Sequence, residues 1–141
     1  MGLVFLGRLE EARAAAAHAT RVAEASGELE VLVWINFASI CRAYALGEAG
    51  SALEEGRRAV EIAEKLDNEV SRVYGYFALG MAYLIDGQCT AAREALHKSA
   101  ATARDRRVVL SWLPWIVALL AQAHLTLGER TEALAAATRR H

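Results

Sequence analysis

Proline occurs once in this chain, at Pro114, and cysteine twice, at Cys41 and Cys89. With so few breakers the sequence is permissive to helix almost throughout. The cysteines lie in separate expected helices and make no C-x-x-C pair, which excludes a disulfide framework and points to a reduced, cytoplasmic protein with two small core thiols. An excess of one charge is also lacking: 16 Lys and Arg face 17 Asp and Glu, a formal net charge of −1. That field is too weak to hold DNA or RNA without a local patch. Long hydrophobic runs are missing as well. The most apolar stretch, Trp112 to Ala121, falls well short of the roughly 20 residues needed to span a bilayer, and Met1 to Gly7 lacks the basic start of a secretory signal. Neither membrane insertion nor export is expected.

What the chain has is alanine and apolar residues, with 55% hydrophobic positions in 141 residues. That suffices for one domain over residues 1–141 with its own core. An internal repeat organises it. Gly7 with Ala12, Gly47 with Ala52, Gly87 with Ala92 and Gly128 with Ala133 all read G-x-x-x-x-A, a pattern that recurs about every 40 residues. Each glycine is read as the left-handed end of one helix, with a second helix beginning a few residues later. After the corners, small residues recur at helical spacing: Leu9, Ala12, Ala16, Ala19 and Ala23 in the first unit, and Cys89, Ala92, Leu96, Ser99 and Ala103 in the third. Gly56 and Ala59 continue this stripe in the second unit and allow close approach of helix axes. Glu54 with Arg58, Glu61 with Lys65 and Glu94 with Lys98 are spaced as i, i+4 pairs on the opposite, solvated face. The segments before the corners, Leu29 to Ala45, Glu69 to Ile85 and Val108 to Leu127, are more apolar and are expected to be buried on more than one side.

The run Tyr76, Leu79, Gly80, Tyr83, Gly87, Ala92 and Leu96 resembles the tetratricopeptide consensus in residue type and offset. The fourth unit keeps Leu120, Ala121, Gly128 and Ala133, with His124 in the tyrosine slot. The second keeps Phe37, Ile40, Cys41 and Tyr44 if one residue is dropped at the corner. The resemblance covers essentially the whole chain, with a period longer than the family's own. Its long, alanine-rich units are similar to arrays in bacterial LuxR-type ATPase regulators and multidomain adenylate cyclases. It implies an all-α fold, a right-handed superhelical stack of antiparallel hairpins with about seven helices, serving as a sensor or assembly arm. No G-x-x-x-x-G-K-S/T loop is present, so the nucleotide-binding part of such proteins is not expected. Met1 to Leu6 and Arg130 to His141 read as half-repeats, which implies either a fragment or ends covered by a second copy.

The resemblance also implies that the first helix of each hairpin lines a concave groove. Its candidate lining residues are Asn36 and Arg42, then Tyr74, Phe77 and Met81, then Trp115, Ala118 and Gln122. Aromatic residues, arginine and methionine suit protein recognition. Helical spacing does not separate groove from core, so Phe77 and Met81 also fit a buried position. In Ser111-Trp112-Leu113-Pro114-Trp115, Ser111 is placed to cap a helix beginning near Leu113, with the tryptophans packed about its start; the alternative makes Trp115 an exposed anchor. Arg104 to Arg107, interrupted by Asp105, reads as a solvated corner rather than an anion site, as do Arg139 and Arg140. His18, His97, His124 and His141 show no metal spacing, and His124 reads as a packed residue hydrogen-bonded at a helix end. No metal or cofactor is expected.

No serine elbow or catalytic cysteine signature occurs. The sequence therefore points first to a protein interaction or oligomerisation module of a bacterial signalling or transcription-regulating protein, with a protein or peptide partner, itself included. A small-ligand or peptide sensor using Tyr74, Met81 and Trp115 comes second, and an enzyme last.

Overall fold

The computed structural model describes residues 9–129 together with residues 134, 135, 137 and 138. Among these, six helices and no strands form: α1 (Leu9–Ser26), α2 (Leu29–Leu46), α3 (Ala52–Leu66), α4 (Glu69–Ile85), α5 (Cys89–Arg106) and α6 (Leu113–Thr126). The corner at Gly7, the segment Met1 to Leu6, and most of Arg130 to His141, with Ala133, Arg139, Arg140 and His141, lie outside the described residues, as do the side chains of Leu9, Ala12 and Ala16.

The glycine corners form as the sequence predicts. Gly47, Gly87 and Gly128 have φ of 68°, 78° and 78°, a left-handed conformation that costs glycine least. At each, two bonds close the helix: Glu48 N–H donates to Ala43 O at 3.0 Å, Gln88 N–H to Tyr83 O at 2.9 Å and Glu129 N–H to His124 O at 2.8 Å, while the glycine N–H reaches the carbonyl three residues back. This six-to-one closure satisfies carbonyls that a helix end otherwise leaves open. Asn68 starts α4 by accepting from Ser71 N–H at 3.0 Å. Arg72 ties the α3–α4 turn by pairing with Glu64, Asp67 and Glu69.

Consecutive helices pack on one another, and α2 also packs directly on α4, with a smaller contact between α4 and α6. Helix α4 is the centre, with ten buried residues from Ser71 to Ala82. Glycines let its neighbours come close. A Cβ at Gly56 of α3 would lie 3.0 Å from the Leu79 Cα, and one at Gly75 of α4 would lie 3.3 Å from the Ala59 O and Val60 Cα. On the other flank, a Cβ at Gly80 would sit 2.5 Å from Leu96 Cγ. The predicted stripe of the third unit is realised: Ala92, Leu96, Ser99 and Ala103 are buried, and Ser99 Oγ donates to Val73 O at 2.8 Å, satisfying its one polar group.

Several sequence expectations are corrected. Of the apolar segment Val108 to Leu127, only Leu113–Thr126 is α6, which begins at Leu113 as read around Pro114, a residue tolerated in a first turn. Ser111 does not cap it; Trp112 holds the cap position, with no side-chain cap bond. Arg104, Asp105 and Arg106 belong to the last turn of α5, where arginines complement the helix dipole, and only Arg107 turns out, at φ 54°. Of the three i, i+4 pairs, Glu61–Lys65 forms at 3.6 Å, whereas Arg58 pairs with Glu24 of α1 at 3.0 Å and Lys98 sits over the Tyr76 ring at 4.6 Å. Helix α2 is, by length and composition, long and apolar enough to cross a membrane, where the sequence alone suggested no such segment; here it packs on α1, α3 and α4.

Replacing Gly80 by alanine gains about 1 kcal/mol of helix propensity and loses about 1–3 kcal/mol by overpacking. Because Leu96 is fully buried and has nowhere to retreat, the second effect wins. Gly80→Ala is expected to lower the urea midpoint, and the added change Leu96→Val to cost less than the sum of the two alone. An unchanged or raised midpoint for Gly80→Ala would refute the close approach.

Candidate functional site

The aromatic residues gather on α2, α4 and the start of α6. Phe37 of α2 lies 5.1 Å from the Phe77 ring of α4 and 5.6 Å, edge-on, from Trp112. Side chains of α2 and α6 thus meet over α4. A second contact repeats this further along: Tyr44 Oη of α2 donates to Gln122 Oε1 of α6 at 3.2 Å. Side chains from α2 and α6, with Trp112, therefore cover this part of α4.

This decides the predicted lining residues. Phe77 and Met81 are 0% and 2% exposed and belong to the core, where Phe37 and Trp112 pack on the Phe77 ring. Tyr74 is 6% exposed, and burial pushes its hydroxyl above the usual tyrosine range. These three line no open groove. Asn36 is half-buried on α2. Arg42 is half-buried too, with Nη2 donating to Ser39 Oγ at 3.4 Å, and faces the Gly47 corner. Ala118 and Gln122 are exposed on α6, and Trp115 is 54% exposed.

The exposed aromatic that sequence reasoning missed is Trp34, 48% exposed on α2. Its ring lies 4.2 Å from that of Tyr74, tilted by 42°, Tyr74 lies 6.5 Å from Trp112, and Trp112 lies 6.4 Å from Trp115. The signal was available. Trp34, Tyr74 and Trp115 stand at one and the same spacing ahead of Gly47, Gly87 and Gly128, so they repeat at the intervals of the corners themselves. One register position thus carries an aromatic side chain in three successive units, and its two end members face solvent. Such half-exposed tryptophans on a packed base are the type of residue that anchors protein interfaces.

The other titratable clusters bind the fold together. His124, in the last turn of α6, meets Glu129 Oε1 at 2.8 Å, and Arg93 of α5 donates to Glu129 Oε2. The hydrogen bond from Arg93, then that from His124, holds the Glu129 carboxyl below its ordinary value of 4.5. Burial pushes the Cys41 thiol up to about 12, so it stays protonated and unreactive near neutral pH. Among the described residues no group of three or more His, Cys, Asp or Glu side chains is placed to hold a metal ion.

No family model, curated protein or solved structure matches the chain. Its functional reading rests on the aromatic geometry.

Two outcomes check this site. Trp112→Ala is expected to lower the unfolding free energy by about 3 kcal/mol, and Trp115→Ala by about 1 kcal/mol or less; equal losses in chemical denaturation would contradict the assignment of base and edge. Because the Glu129 carboxyl is depressed in the folded state, its contribution is complete above pH 4.5 and is lost as pH falls below that value. Glu129→Gln should therefore flatten the acid limb of the stability profile, and a profile unchanged by the substitution would contradict the pairing.

Proposed function

We propose that this chain is a tetratricopeptide-like helical-repeat module, a right-handed superhelical stack of about seven helices, that binds a protein partner along the edge marked by Trp34 and Trp115. The observation that carries this reading is the recurrence of Trp34, Tyr74 and Trp115 at one register position, with the outer two about half exposed. Three identical corner closures and the direct contacts of α2 with α4 and of α4 with α6 support the repeat stack. The module is non-catalytic and belongs to a cytoplasmic regulatory protein; two unpaired thiols suit a reducing compartment. Its partner is another protein or a second copy of the chain, held by aromatic surface rather than by charge, in keeping with a net charge of −1.

Recognition at an edge rather than in the groove follows from the covered inner face of α4. A partner helix or loop covering Trp34 and Trp115 removes two half-exposed indoles from water, each of the kind whose truncation costs an interface about 2 kcal/mol or more. A photo-crosslinking residue placed at 34 or 115 in cells is expected to trap a protein, whereas the same residue at exposed Glu94, on α5, is not. Adducts in equal yield at all three positions, or at none, would sink the edge as a recognition surface.

A further inference from the structure

The corner between α2 and α3 is longer than the one between α4 and α5, spanning residues 47–51 rather than 86–88. It borders a cavity of about 240 Å³ whose lining includes Ser39, Arg42, Glu48, Ser51 and Glu55. Two of these side chains carry buried polar atoms of opposite character without partners: Arg42 Nη1, a donor only, and Glu55 Oε2, an acceptor only. Orphaned atoms of this kind are uncommon because each forfeits the hydration it had in the unfolded chain. The remaining contacts leave both charged groups under-engaged. Arg42 Nη2 reaches only Ser39 Oγ, at a long 3.4 Å, and Glu55 Oε1 accepts from Ser51 Oγ at 2.5 Å. By turning to Glu55, Ser51 leaves the N-terminus of α3 with no side-chain cap, so the positive end of that helix dipole also borders the cavity.

We propose that this corner pocket binds a small zwitterion, a molecule carrying one carboxylate and one ammonium group, as in a free α-amino acid. Charge selects that class. A simple anion suits Arg42 and the start of α3 but meets Glu55; a simple cation suits Glu55 and leaves the guanidinium unanswered. A zwitterion gives its carboxylate to Arg42 and its ammonium to Glu55, completing both sets of hydrogen bonds at once. Both side chains end in charged groups on flexible stems, so they turn toward the ligand without backbone movement. Size agrees. The cavity exceeds the roughly 30 Å³ that one water occupies, and lies below the roughly 300–1,000 Å³ of sites for drug-sized ligands. The pocket is distinct from the aromatic edge, so the two readings stand or fall separately.

The test is a thermal-shift screen of the full chain against the free amino acids, with calorimetric titration of the best one. Its deaminated acid and decarboxylated amine serve as one-ended controls, and Arg42→Gln and Glu55→Gln as variants whose folding is checked by circular dichroism. The expected result is saturable binding of the amino acid that weakens by about tenfold or more in each folded variant and in each one-ended control. If Arg42→Gln fails to fold, Glu55→Gln and the two controls still decide. The proposal is overturned if no amino acid binds, if either one-ended analogue binds as tightly as the zwitterion, or if the folded variants bind unchanged.

Discussion

Edge-on contact between Phe37 and Trp112, across the Phe77 ring, decides which surfaces of this molecule are core and which are free. It joins α2 to α6, helices that are far apart in sequence, and so closes the inner face of α4. With that face closed, Tyr74, Phe77 and Met81 become core, and the residues left to meet a partner are those at the rim of the aromatic cluster. Aromatic pairs at these separations contribute about 0.5–1.5 kcal/mol each beyond the burial of their area. Four such contacts involve Phe37, Phe77 and Trp112 with one another or Phe37 with Tyr74, which makes the cluster a larger source of specificity than any ion pair here.

The opposite requirement, smallness, governs the outer flanks of α4. Gly56 and Gly75 let α3 approach it closely, and Gly80 admits Leu96 from α5. Large residues therefore converge toward α2 and α6, and small ones face α3 and α5. Electrostatics plays a lesser part. Arg72 with Glu64, Asp67 and Glu69, and Arg58 with Glu24, lie at partly exposed turns and faces, where single pairs contribute about 0–1 kcal/mol. They fix the turns; the helices associate through burial.

Much of the fold was legible because its punctuation is local. A glycine that ends a helix in the left-handed conformation depends on its own backbone, so Gly47, Gly87 and Gly128 could be read in isolation. The bounds of α4, Glu69 to Ile85, were likewise read correctly, since Asn68 caps one end and the Gly87 corner stops the other. The start of α6 near Leu113 was legible from Pro114, whereas its cap was not: Trp112, not Ser111, holds that position. The site was less legible. Whether Phe77 faces a groove or a core depends on Phe37 and Trp112, each on a different helix and remote from it in sequence, and helical periodicity carries no such information. Trp34 was different. Its spacing from Gly47 matches that of Tyr74 from Gly87 and of Trp115 from Gly128, and extending the repeat to it would have found the edge. The polar pocket at the Gly47 corner was out of reach, because it requires Glu55 and Ser51 to turn toward each other.

A double-mutant cycle on Phe37→Leu and Trp112→Leu, read by chemical denaturation, is the most direct probe of whether α2 and α6 meet through these two rings. The two losses are expected to be coupled by about 1 kcal/mol, the double variant being less destabilised than the sum. Additivity within about 0.3 kcal/mol would mean that the rings do not share a contact, and the covered inner face of α4, with the edge reading built on it, would be wrong.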